Sequence, residues 1–142
     1  MSDIICPRSP REEMDGWCHL PRYIDKIRLF LADGLGEEYL PFLGKNSDAI
    51  WLAAAGVTHE QMVEVVRGTI TDGEVCDWVR THIHKTPAEK AAHRGSMIDF
   101  PPAGDAAAQA FFEQRKAAYG MADRHDIKNR GDLLDMDEGR LG

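Results

Sequence analysis

The chain has 142 residues, of which 43% are hydrophobic and 29% charged, and carries a net charge of −7. This length and apolar content suit one packed domain and exclude a globally disordered chain. No apolar run approaches the roughly 20 residues that span a bilayer, and no stretch has the basic excess that duplex binding requires, since even residues 81–131 hold only eight bases against six acids.

Residues 1–19 read as an irregular arm, with Pro7 and Pro10 limiting regular structure. The arm opens on Met1-Ser2-Asp3-Ile4-Ile5-Cys6-Pro7-Arg8, with an early acid and no long apolar stretch, which does not fit a secretory signal. The spacing of Leu20, Tyr23, Ile24, Ile27, Phe30 and Leu31 predicts a helix from Pro21 to about Asp33. Gly34 is its expected stop. Residues 34–46 form a loop, and Ser47 is the expected cap of a second helix through Ile50, Trp51, Leu52 and Ala53-Ala54-Ala55, apolar almost all round and ended by Gly56.

Thr58 with Gln61, and Thr71 with Glu74, make capping-box patterns at the start of two further helices. Met62, Val65 and Val66 give the inward face of the first. Val75, Trp78, Val79, His82 and Ile83 give that of the second. Thr86, Pro87 and Glu89 start a helix rich in small residues (Ala88, Ala91, Ala92). After Pro101-Pro102, Asp105 caps a helix through Tyr119 with Ala108, Phe111, Phe112 and Tyr119 inward and Gly120 as its stop. The tail from Met121 is polar up to Leu133-Leu134. No alternating strand pattern stands out. The expected fold is all-α: a single helical domain over residues 1–142, a bundle of five or six short helices with an irregular N-terminal arm and an acidic C-terminal tail.

Cys6, Cys18 and Cys76 are odd in number, and none stands in a Cys-x-x-Cys pair, so a reducing cytoplasm is the expected location. Metal spacing is lacking too. His82-x-His84 does not place two rings on one helix face, and His93 has no partner at ligand spacing. Gly34-x-Gly36 follows a helix and lacks the third glycine of a dinucleotide loop. Asp135-x-Asp137 leaves no room for a calcium loop. No metal or cofactor is expected.

The start of the first helix is the anomaly. Pro21 suits a first helical position, but Leu20 before it offers no cap. Arg22, Lys26 and Arg28 then place positive charge where the helix dipole favours anions. A local rule broken in this way marks a candidate site. Three functions fit these residues. The first is a non-catalytic binding module for a small anionic molecule or an acidic partner segment, held by Pro21, Arg22, Tyr23, Asp25, Lys26 and Arg28 with His19 joining from the arm. The second is a small enzyme using Asp25, or Cys18 with His19, beside Arg22 and Lys26. The third is a structural protein, a homo-oligomer assembled through an apolar patch on the Phe111-Phe112 helix.

Certain strings resemble one family. They are Pro7-Arg8-Ser9-Pro10, Leu20-Pro21-Arg22-x-Ile24-Asp25-Lys26-x-Arg28, Phe42-Leu43-Gly44, Asp77-Trp78-Val79 and the tail Asp132-Leu133-Leu134-Asp135-x-Asp137-Glu138-Gly139-Arg140. Together they resemble the bacterial domain-of-unknown-function family 5069, with residues 7–85 as the family-like core and 86–142 as a helical extension and tail. The loop after Tyr39 departs from the family pattern. The resemblance implies a small cytoplasmic helical protein and carries over no catalytic residue.

Overall fold

The structure, a computed structural model, describes residues 6–139. The first five residues of the predicted arm and the last three of the tail lie outside the described residues.

The arm is more ordered than its prolines suggest. Asp15-Gly16 forms a tight turn with both residues at positive φ (52° and 81°). That geometry matches strand twist and is why Asp-Gly marks hairpins. It joins two antiparallel two-residue strands, β1 (Glu13–Met14) and β2 (Trp17–Cys18).

Helix α1 (Leu20–Leu31) follows directly. Its first residue is Leu20, so Pro21 falls one position later than predicted. His19 is the residue before the helix, in left-handed conformation (φ 70°) and with no side-chain cap. The helix closes on a Schellman motif. Asp33, at φ 56°, takes the left-handed place, and Gly34 N–H donates to Leu29 O at 2.7 Å. Gly34 therefore comes one residue after the conformational stop.

A 3-10 turn at Leu40–Phe42 leads to α2 (Ser47–Ala55). Asn46, not Ser47, precedes α2, and its side chain does not cap it. The two predicted capping boxes are formed. Thr58 and Gln61 open α3 (His59–Arg67), and Thr71 and Glu74 open α4 (Asp72–His82). Thr86 caps α5 (Pro87–Met97) and Asp105 caps α6 (Ala106–Ala118).

The polar tail folds into one more helix, α7 (Arg130–Asp137), capped by Asn129 on the Asp132 N–H. The described residues thus hold seven helices rather than five or six, and a small hairpin besides. None of the helices is long and apolar enough to cross a membrane.

One large core joins β2 and α1–α4. Trp17, Leu20, Tyr23, Ile24, Ile27, Trp51, Met62, Val75 and Val79 are its fully buried members. Trp17 and Trp51 meet edge to face. His82 belongs to the outside: it is exposed and stacks on Trp78. A second, smaller cluster joins Phe112 of α6, Ile127 and Leu133 of α7. Phe111 is 51% exposed, so α6 buries one phenylalanine where two were predicted. Buried Lys116 shares that inner face.

Helix α7 is pinned to the hairpin arm. Arg11 donates to Asp132 Oδ1 and Asp135 Oδ2, both at 2.7 Å, and to Asn129 Oδ1 at 3.3 Å. Gly131 lets this happen. A Cβ there would come within 2.8 Å of Ile98 Cγ2 and 3.0 Å of the Arg11 guanidinium. Alanine is the better helix former by up to about 1 kcal/mol, yet overpacking of this kind costs about 1–3 kcal/mol. Gly131→Ala is expected to lower the urea midpoint with no change in slope; a raised midpoint would mean that the α5–α7 contact is loose.

Candidate functional site

Helix α1 distributes the predicted site residues over three faces. Tyr23 turns into the large core, beside Trp51 and hydrogen-bonded to His59. Asp25 and Arg28 face the arm. Arg8 donates to Asp25 through its backbone N–H, Nε and a terminal nitrogen, at 2.9, 2.9 and 3.0 Å. Arg28 and Arg8 both pair with Asp72 of α4. The Pro21 carbonyl accepts from Arg8 at 3.5 Å, and Leu20, Pro21, Arg22 and Tyr23 at the helix start are all buried.

The third face carries Arg22 and Lys26, one turn apart, with His19 below them. These three residues line a cavity of about 790 Å³. Its other walls come from the Leu40–Phe42 turn, the start of α2, and helices α6 and α7. It therefore lies between the large core and the smaller cluster, a common place for a ligand.

Asp48 of α2 organises the floor. Its carboxylate is fully buried and accepts from three groups. His19 Nε2 lies at 2.7 Å from Oδ1, Lys26 Nζ at 2.8 Å from Oδ2, and Gly44 N–H at 2.9 Å from Oδ2. Burial alone raises a carboxyl pKa; here the His19 and Lys26 contacts outweigh it and hold Asp48 below its ordinary value. Burial pushes His19 the other way, below its ordinary value and against the pull of Asp48. One carboxylate and one ammonium already balance. A charged imidazole would add an uncompensated cation beside Arg22 and Lys26. We therefore take His19 as neutral, with its proton on Nε2 facing Asp48. Nδ1 is then an acceptor, and it has no partner among the described residues. An unpaired buried acceptor costs about 1–3 kcal/mol.

Arg22 is engaged as well. Its two terminal nitrogens donate to Glu138 at 2.7 and 2.8 Å, a bidentate pair. Burial disfavours the Arg22 charge, but Glu138 more than offsets that and raises its pKa. Tyr39 O–H also donates to Glu138, at 2.6 Å. The α1 cations are thus each matched by an internal carboxylate: Glu138, Asp48 and Asp72.

Other cations line the cavity with no ion pair among the described residues, exposed Lys45 being one, and the carboxylates of Glu38 and Asp137 line it as well. Arg115 of α6 and Arg130 of α7 line it, and no carboxylate of the described residues lies within ion-pair distance of either. Arg130 donates to the Ser96 and Met97 carbonyls and lies over the Phe100 ring, 4.4 Å from its centre. Burial, and then the Arg115 charge, lower its pKa, so the two guanidiniums repel each other. Aromatic side chains surround them: Phe100, Phe111, Phe112 and Tyr119 are all in the lining. Sequence reading missed this pair. An arginine on each of two predicted segments says nothing until the fold brings them together.

Cys18 and His19 do not form a dyad. Cys18 Sγ faces His93 Nδ1 at 3.6 Å, while His19 turns to Asp48. Burial pushes the Cys18 thiol up to about 11, which leaves it protonated and unreactive at neutral pH. Asp25 is held by Arg8 and does not line the cavity.

His93 is buried beside Cys18 and Trp17. Burial, with the nearby His19 adding to it, pushes its pKa down to about 4. The unfolded chain titrates near 6.5, so below that pH it takes up a proton that the native state refuses. Stability present above pH 6.5 is accordingly lost as pH falls towards 4, and His19 acts in the same direction. Thermal melts are expected to show the melting temperature falling across this window, more shallowly in His93→Gln. A flat profile in the parent protein would exclude two neutral buried histidines.

No curated protein matches the chain. The family model described as "Domain of unknown function (DUF5069)" matches residues 5–140. That match spans the arm, the start of α1, the cavity walls and Glu138, so the chain belongs to the DUF5069 family.

Proposed function

We propose that the chain is a binding module for a small anionic ligand with a flat apolar portion, seated in the cavity between α1, α6 and α7. One observation carries this reading. Arg115 and Arg130 line an aromatic-walled cavity with no carboxylate partner among the described residues, in a chain whose net charge is −7. Two guanidiniums that line one cavity, the charge of Arg115 lowering the Arg130 pKa, are stabilised by an anion held between them, and charge-assisted bonds of that kind contribute about 1.5–3 kcal/mol each. The rings of Phe100, Phe111 and Tyr119 offer faces for a planar group.

The anion's place differs from the one expected at the start of α1. Glu138 already satisfies Arg22, and the Pro21 end is buried. Arg22 and Lys26 contribute a polar floor instead, their charges balanced by Glu138 and Asp48. No displaced bond, hydride or nucleophile enters into this function, and the positions of Asp25 and Cys18 give catalysis no support.

Phenyl phosphate joins the two chemistries in one probe, with inorganic phosphate and phenol as its halves. Titration calorimetry is expected to give tighter binding for phenyl phosphate than for either half, and binding should raise the melting temperature by mass action. Arg115→Gln and Arg130→Gln are each expected to weaken it about 10- to 100-fold, one charge-assisted contact apiece. Equal affinity for phenyl phosphate in the double variant and the parent would overturn the reading.

A further inference from the structure

The cavity is larger than one ring and one anion require. Its volume of about 790 Å³ falls in the range of sites that enclose a whole drug-sized ligand. Its aromatic lining divides into two sorts. Guanidiniums lie over Tyr39, Phe100 and Tyr119: Arg22 at 5.8 Å, Arg130 at 4.4 Å and Arg115 at 5.7 Å. Among the described residues no cation lies over Phe42, in the turn before α2, or over Phe111 of α6. These two line the cavity, are 37% and 51% exposed, and belong to none of the apolar clusters. Two ring faces are thus left open at the same cavity.

The carboxylates are the third feature. Glu38 and Asp137 are exposed and line the cavity, and neither has an ion pair or a side-chain hydrogen bond among the described residues. Burial, then the charges of Glu138 and Glu38, hold the Asp137 carboxyl above its ordinary value against the pull of Arg22. An anion at this side would be repelled. A hydrogen-bond donor is what two carboxylates can accept.

We infer that the ligand is a nucleotide, with its phosphate between Arg115 and Arg130, its base against Phe42 and Phe111, and its ribose hydroxyls donating to Glu38 and Asp137. The inference rests on the cavity being the anion site proposed above, and it names the class of ligand. A base is flat and stacks on aromatic side chains whatever its identity, so the two phenylalanines select no particular base. A ribose diol supplies neutral donors, and acidic side chains take the same hydroxyls in dinucleotide sites. An aryl phosphate meets the guanidiniums and the rings but leaves both carboxylates facing an anion. A sugar phosphate leaves both phenylalanines open. A nucleotide meets all three features.

Calorimetry on the parent protein compares the 5′-monophosphates of adenosine, guanosine, cytidine and uridine with phenyl phosphate and ribose 5-phosphate. At least one nucleotide is expected to bind about tenfold or more tighter than either reference compound, the gain that stacking of one base supplies. Its 2′,3′-dideoxy counterpart is expected to lose about tenfold, since each missing hydroxyl removes a bond to a charged acceptor. Combining Glu38→Gln with Asp137→Asn should shrink that ribose-to-dideoxy ratio to below about threefold. Phe42→Leu and Phe111→Leu should each weaken the nucleotide more than ribose 5-phosphate. Nuclear Overhauser contacts from base protons to the rings of Phe42 and Phe111 give a readout that needs no variant to fold. If phenyl phosphate binds but no nucleotide gains more than about threefold over it, the inference fails and the binding reading stands. A dideoxy counterpart of equal affinity, or a bound base that contacts neither phenylalanine, also overturns the inference alone. If neither phenyl phosphate nor any nucleotide binds, both fail together.

Discussion

The buried carboxylate of Asp48 is the constraint on which the cavity side of this molecule depends. Taking a carboxylate out of water costs several kcal/mol, and it is tolerated only when its lone pairs are met. Asp48 meets that condition by drawing on three separate stretches of chain: the residue before α1, the second turn of α1, and the loop before α2. Those contacts explain why α1 starts as it does. A capped helix would begin with a serine or aspartate turned back on its own N–H groups. Here His19 turns away from the helix to Asp48, and α1 starts without a side-chain cap. Removing one partner from such a site is costly out of proportion to the bond, because the others are left buried and unmatched.

The same logic governs the rest of the α1 charges. Arg22, in the first turn of α1, opposes the helix dipole, a local penalty of a few tenths to about 1 kcal/mol, whereas Lys26 lies mid-helix and Arg28 in the last turn, where the dipole favours a cation. Each is answered by a carboxylate far along the chain: Glu138, Asp48 and Asp72. Arg8 and Arg11 repeat the pattern from the arm, reaching Asp25, Asp72, Asp132 and Asp135. The uneven charge along the sequence, basic segments against acidic ones, thus becomes a set of contacts that tie the two ends of the chain to its first helix. Arg115 and Arg130 fall outside this system.

Features set by neighbours in sequence were legible. The capping boxes at Thr58 and Thr71, and the Asp105 cap, depend on side chains three residues apart, and each formed where the pattern predicted. Asp15-Gly16 and Asn129-x-x-Asp132 carry equally local signals, a hairpin turn and a helix cap, although the prolines of the arm and the polarity of the tail obscured them. The anomaly at Pro21 was legible as a broken rule, and it did lie beside a cavity: His19, Arg22 and Lys26 line it. The answer to the anomaly was not legible. Glu138 is 116 residues from Arg22, and Asp48 is 29 from His19. No periodicity relates such positions. Asp25 and Arg28 were grouped with Arg22 because i, i+3 spacing makes them neighbours on a helical surface, but the arm claims that side of the helix for itself.

Two of the three apolar clusters among the described residues divide the labour of the cavity. The larger one, with its paired tryptophans, holds α1 and α2 and hence the floor of Asp48, His19 and Lys26. The smaller one, around Phe112, Ile127 and Leu133, carries the wall with Arg115 and Arg130. Local stability follows the extent of buried apolar contact, so the floor belongs to the firmer part of the molecule and the wall to the softer. Glu138 closes the remaining side, since its bonds to Arg22 and Tyr39 join the end of α7 to the floor. The internal carboxylate neutralises Arg22, so the charge that looks most available in the sequence is one the fold has already matched.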